Sequence, residues 1–159
     1  VLGYFSGLAQ LPGNDREALA ACMANGGGRV GAEELAAVGC PVLVVLGEHD
    51  FTSFRASQCQ ALSPVKILLA IDIQKRGAYW RIEFEANAFL HHMIRNIMGC
   101  LIQVGQGLHP PDWMAQVLAA RDRDQAAPTF APDGLYFLGP VYAPHWGLPE
   151  RTAAYDWLE

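Results

Sequence analysis

The residues of this chain best suited to chemistry cluster in one stretch, His91-His-Met-Ile-Arg95. Arg95 carries a permanent charge on a planar fork of donors that matches a carboxylate or phosphate. One turn later stands Gly99, which has no side chain to crowd the arginine. That arrangement suits a guanidinium reaching across a cleft to an anion, although a cation on the polar face of a helix is commonly just solvated. His91 and His92 are adjacent, so on a helix they point about 100° apart and cannot easily share a metal ion. They are read either as groups that approach a ligand or as satisfied structural histidines. Cys22, Cys40, Cys59 and Cys100 show no Cys-x-x-Cys spacing, which argues against zinc. They read as reduced thiols of a cytoplasmic protein.

An amphipathic helix must hold Arg95. Leu90, Met93, Ile94, Ile97, Leu101 and Val104 recur at the spacing of a buried helical stripe. The spacing predicts a helix over 88–105, capped by Asn87 and ended by Gly105 and Gly107. Ahead of it, 66–74 and 78–86 read as strands joined at Lys75-Arg-Gly77. Trp80, Ile82 and Phe84 alternate with Arg81, Glu83 and Glu85, so one sheet face is dry and the other wet. A second helix is expected over 112–120, after Pro110-Pro111. A last strand over 134–142 is interrupted at Gly139-Pro140, which marks an edge or a bulge. The fold class is therefore α+β, an antiparallel sheet with helices packed on one face.

Upstream, Phe51, Ser53, Phe54 and Arg55 form a loop expected to lead into a short helix ending near Ala61. Aromatics beside an arginine can stack on bases and hold phosphate, and equally the phenylalanines can anchor the loop in the core.

Four segments, in order, resemble the bacterial tRNA pseudouridine synthase A family. They are Gly47-Glu-His-Asp-Phe-Thr-Ser-Phe-Arg55, Asn87-Ala-Phe-Leu-His-His-Met-Ile-Arg-Asn96, Leu118-Ala-Ala-Arg-Asp-Arg123 and Gly134-Leu-Tyr-Phe-Leu138. The resemblance covers residues 47–149 and is to the C-terminal half of the enzyme. It implies conversion of uridine to pseudouridine in the anticodon stem-loop of tRNA, with no cofactor and no metal, in a homodimer. The family's nucleophilic aspartate belongs to a Gly-Arg-Thr-Asp motif that this sequence does not contain, so the chain alone is expected to be inactive. Carried over residue by residue, the resemblance makes Arg95 the partner of that aspartate. It makes Leu135 the apolar residue packed on the flipped base, which in a plain fold would be a core leucine. Phe51, Ser53, Arg55, His91 and His92 are then the candidate RNA contacts.

Residues 1–46 do not fit that family. Short helices are expected over 15–24 and 31–38, then a buried strand over 42–46 of the kind found in parallel sheets. Cys40-Pro-Val-Leu-Val-Val-Leu-Gly-Glu-His-Asp50 resembles a late strand and acid loop of the α/β-hydrolases. This suggests a fusion, a misassembled frame or a degenerate start, with family variation as the alternative. A working hydrolase is excluded, since no Gly-x-Ser-x-Gly elbow is present. Residues 150–159 read as a tail.

At 159 residues, 52% of them hydrophobic and 17% charged, the chain is long and apolar enough for one packed core. The start lacks the basic flank of a signal peptide, and no apolar run is long enough to span a bilayer. A net charge of −5 sits awkwardly with a tRNA partner. Most of the positive surface is therefore expected from another half or subunit.

Overall fold

The computed structural model describes residues 2–5, 44–76 and 79–148, with only the backbone described at 2–5, 75–76 and 79. The helices expected over 15–24 and 31–38 and the tail over 150–159 lie outside the described residues.

Five strands form one sheet: β1 (Leu2–Phe5), β2 (Gly47–Asp50), β3 (Val65–Arg76), β4 (Tyr79–Ala86) and β5 (Leu135–Gly139). Their order is β2-β3-β4-β1-β5, and every neighbouring pair is antiparallel. Among the described residues, two helices, α1 (Met93–Gly105) and α2 (Trp113–Ala120), complete the α+β fold. No helix of the described residues is long and apolar enough to cross a membrane.

Alternation builds the core. Ile82 and Phe84 of β4 sit opposite Ile73 and Ile71 of β3, and all four are buried. They join Met93, Ile94, Ile97 and Met98 of α1 and Met114 and Val117 of α2 in a single cluster. Arg81, Glu83 and Glu85 point to the other, half-buried face, where Arg81 pairs with Glu83. In β3 the apolar run Ile67-Leu-Leu-Ala-Ile71 has no clean period, and the register explains why. It slips between Leu68 and Ala70, so burial moves from even to odd positions and Leu69 is pushed out to solvent.

The strand expected over 42–46 is corrected over 44–46, and 42–43 lie outside the described residues. Val44 and Val45 make a tight 3-10 turn, and the strand begins only at Gly47, pairing antiparallel with β3. The helix expected to run toward Ala61 is also absent, since a single 3-10 turn spans Thr52–Phe54 and irregular backbone follows it.

The start of α1 is corrected as well. Asn87 does not cap it. The Asn87 side chain accepts from the Ile67 amide at 2.9 Å, and its own amide donates to the Ile67 carbonyl at 3.0 Å. Asn87 thus extends the β3–β4 ladder, and the helix begins five residues after 88, at Met93. His92 makes the entry with φ 62°, a left-handed conformation that few non-glycine residues adopt. At the other end Gly107 takes the left-handed turn expected of it. β5 stops at Gly139, before Pro140, and is an edge strand of the sheet, one of the two settings, edge or bulge, that the proline marked.

Candidate active site

The N-terminal approach to α1 and strand β5 enclose an open hollow of about 170 Å³, lined by Phe89, His92, Met93, Arg95, Leu135 and Phe137 among others. Arg95 and Leu135, far apart in sequence, therefore share one cavity. Arg95 is half-buried. Its Nε donates to the Phe130 carbonyl at 2.6 Å, and the Phe130 amide donates back to the Arg95 carbonyl at 3.2 Å. That leaves the Nη end of the fork with no acceptor among the described residues.

His92 lines the same hollow, and its ring lies against that of His91 with centroids 3.9 Å apart. Burial, together with the positive charge of neighbouring His91, Arg95 and Arg123, pushes the His92 imidazole below its ordinary value. The ring is thereby held toward its neutral form. His91 remains exposed.

The chemistry open to such a hollow is narrow. Apolar walls accept a flat, uncharged ring. A guanidinium with a free end accepts a carboxylate through two parallel hydrogen bonds. An arginine within about 4–6 Å lowers a carboxyl pKa by about 1–3 units, which keeps it ionised in a partly dry site. Among the described residues, no three His, Cys, Asp or Glu side chains converge as metal ligands would.

The Phe51–Arg55 loop does something other than expected. Phe51 and Ser53 are fully buried, so neither has a face left for a base. The Ser53 hydroxyl donates to the Val117 carbonyl at 2.5 Å and accepts from the Asp122 amide at 2.9 Å. It thus satisfies one of the end carbonyls that α2 cannot satisfy itself. Arg55 turns inward, its Nη2 donating to the carbonyls of Cys59 and Ala61 at 2.7 and 2.8 Å. Phe51 and Ser53 are thus buried fasteners of the loop, and Arg55 spends its Nη2 on the same loop. Asp50 begins that loop. Burial raises its carboxyl pKa, but the Thr52 hydroxyl and amide and Arg121 at 3.7 Å outweigh burial and hold it below the ordinary value.

Sequence reasoning missed Asn96. It is fully buried one residue after Arg95, donates to the Phe54 carbonyl at 2.8 Å, and accepts from Thr129 at 2.7 Å and Arg123 at 3.2 Å. The available signal was an amide placed between Ile94 and Ile97, where a solvated side chain has no room.

A family model described as tRNA pseudouridine synthase matches residues 44–143. The chain belongs to the tRNA pseudouridine synthase family. It is 70% identical over 120 residues to tRNA pseudouridine synthase A of Polaromonas naphthalenivorans, covering 73% of this chain and 46% of that protein. It is 73% identical over 114 residues to the protein of the same name from Albidiferax ferrireducens, covering 72% and 44%. The corresponding figures for Paracidovorax citrulli are 66% over 132 residues, 72% and 48%. The chain thus spans about half the length of these pseudouridine synthases. The α/β-hydrolase resemblance of the leading segment finds no support. The synthase match already begins at residue 44, and Gly47–Asp50, which that resemblance claimed, is an antiparallel edge strand of the synthase sheet.

Proposed function

We propose that this chain is the C-terminal half of a tRNA pseudouridine synthase. In this reading it isomerises uridine in the anticodon stem-loop once a Gly-Arg-Thr-Asp half supplies the nucleophile, and it is inactive alone. The observation that carries the reading is that Arg95 and Leu135 line one hollow, with no described residue accepting from the Nη end of Arg95.

The supplied aspartate meets the Nη edge of Arg95 and stays ionised there. The target base, extruded from the stem-loop at a cost of a few kcal/mol, packs on Leu135. His92 faces the base as a neutral ring, and His91 meets the RNA outside. Because the charge pair and the apolar wall suffice, no cofactor or metal takes part. The assembly is a cytoplasmic homodimer acting on tRNA, and the second subunit supplies much of the positive surface that a chain of net charge −5 lacks.

The test is tritium release from uridine-labelled tRNA, with and without a supplied N-terminal half. Release is expected only with it. Arg95→Met in the completed enzyme should lower turnover on the order of 100-fold or more, as losing one aimed charge does elsewhere. Near-normal turnover of that variant would refute the role of Arg95. A second reading, a tRNA-binding or dimerisation module without catalysis, draws on the missing Gly-Arg-Thr-Asp motif. Retained tRNA affinity with no isomerisation even in the completed protein would favour it.

A further inference from the structure

Residues 126–130 run as a strap along one side of α1. The contacts fall in order. Phe130 exchanges two hydrogen bonds with Arg95. Thr129 donates to Asn96. The Pro128 carbonyl lies where a Cβ on Gly99 would sit, only 2.3 Å from that position. The Ala127 amide points at the Cys100 sulfur, 3.3 Å away. Helix positions 95, 96, 99 and 100 form one face, and the strap descends it antiparallel.

One side chain holds the strap together. Arg123 Nη1 donates to the carbonyls of Ala126 and Ala127 at 3.2 and 2.9 Å, and Nη2 donates to Asn96 and Thr129 at 3.2 and 3.1 Å. A planar, permanently charged fork gathers two strap carbonyls, a strap hydroxyl and a helix amide into one rigid knot. Without it the strap keeps the Phe130 pair at one end and single contacts at Asn96 and Cys100.

We propose that Arg123 is a positioning residue for Arg95. It fixes the strap, the strap fixes the Phe130 carbonyl, and that carbonyl pins Nε so that the Nη end of Arg95 faces the hollow. Arg123 touches no substrate in this scheme. Gly99 is the matching device on the helix side, because any side chain there pushes Pro128 and the strap away. The catalytic consequence rests on the reading of Arg95 as the carboxylate partner, whereas the aiming of Arg95 does not.

The aim can be read on the isolated chain by isotope-labelled NMR. The Arg95 Nε–H should exchange slowly and show coupling through the hydrogen bond to the Phe130 carbonyl carbon. Arg123→Met and, independently, Gly99→Ala should abolish the coupling and raise Nε–H exchange by about tenfold or more. Amide protection at Ile73, Ile82 and Phe84 of the sheet should persist. If Arg123→Met does not fold, Thr129→Val, which removes one hydroxyl from the knot, should give a smaller rise of the same kind. An Arg95 signal that stays protected and coupled in the folded variants, or that shows no coupling in the unaltered chain, overturns the proposal.

In the completed enzyme, Arg123→Met should lower kcat with KM for tRNA unchanged. It should also move the acid limb of the pH profile upward, because a mis-aimed guanidinium holds the carboxylate pKa down less well. Loss of the NMR signature with no change in turnover leaves the positioning intact and rejects the catalytic reading of Arg95 instead.

Discussion

Single residues of this chain were legible by type and illegible by partner. Arg95 stands out in the sequence because a cation sits beside a buried stripe with a glycine one turn on. What the sequence could not tell is that its Nε would be taken by a carbonyl 35 residues later. The strap has no hydrophobic period to mark it, and backbone carbonyls leave no trace in residue types. Phe51 and Ser53 turned out otherwise for the converse reason. Their types suit RNA, but burial decides what they meet, and a loop motif carries no burial signal.

His92 makes a titration prediction at this scale. Its folded-state pKa lies below the ordinary histidine value of 6.5. The unfolded chain therefore binds the proton more readily, and stability rises with pH across that window. The contribution is fully present above 6.5 and is lost as pH falls through the lower folded value. Urea midpoints measured from pH 7.5 down to pH 5 should show this slope, and His92→Gln should flatten it.

At the scale of elements, type and order were readable while the ends were not. The alternation in β4 and the stripe in α1 come from partners on a broad apolar layer, which periodicity records. Ends depend on single hydrogen bonds. Asn87 has the chemistry of a cap, and the ladder claimed it first. Similarly, the bulge at Leu68/Ala70 hides inside an unbroken apolar run. α1 differs from an ordinary amphipathic helix in having two covered sides, the sheet and the strap. Asn96 belongs to the second, and every polar atom of its amide is used. Asn96→Ala takes one acceptor from the Arg123 fork, takes the acceptor of the Thr129 hydroxyl, and leaves the Phe54 carbonyl without this donor. A loss of roughly 2–4 kcal/mol is expected, since each buried polar group left unpaired costs about 1–3 kcal/mol. Chemical denaturation checks it, and a change below about 0.5 kcal/mol, the scatter expected at an ordinary surface site, would show that the knot contributes nothing to the fold.

For the molecule as a whole, charge is the informative quantity. Of the described cations, Arg55, Arg81, Arg95 and Arg123 all spend donors on partners within the chain. Among the described side chains, few remain to neutralise phosphates. The isolated chain should therefore bind tRNA weakly, with a slope of log affinity against log salt no steeper than about −3, against about −0.9 per phosphate neutralised. Filter binding between low and physiological salt measures it, and a steep slope would mean that the chain brings its own phosphate-binding surface.

The two margins of the sheet are unlike. β2 carries Glu48, His49 and Asp50 at one end of the strand order, charges of the kind that discourage another strand from adding. β5, at the opposite end, shows Tyr136 and Phe137 to solvent, and Val141, Tyr142 and Trp146 continue the greasy strip beyond it. Any lateral growth is thus one-sided. Two molecules meeting through their β5 margins would leave only the guarded β2 margins outside, and such stacking ends at a pair instead of running on into a fibre.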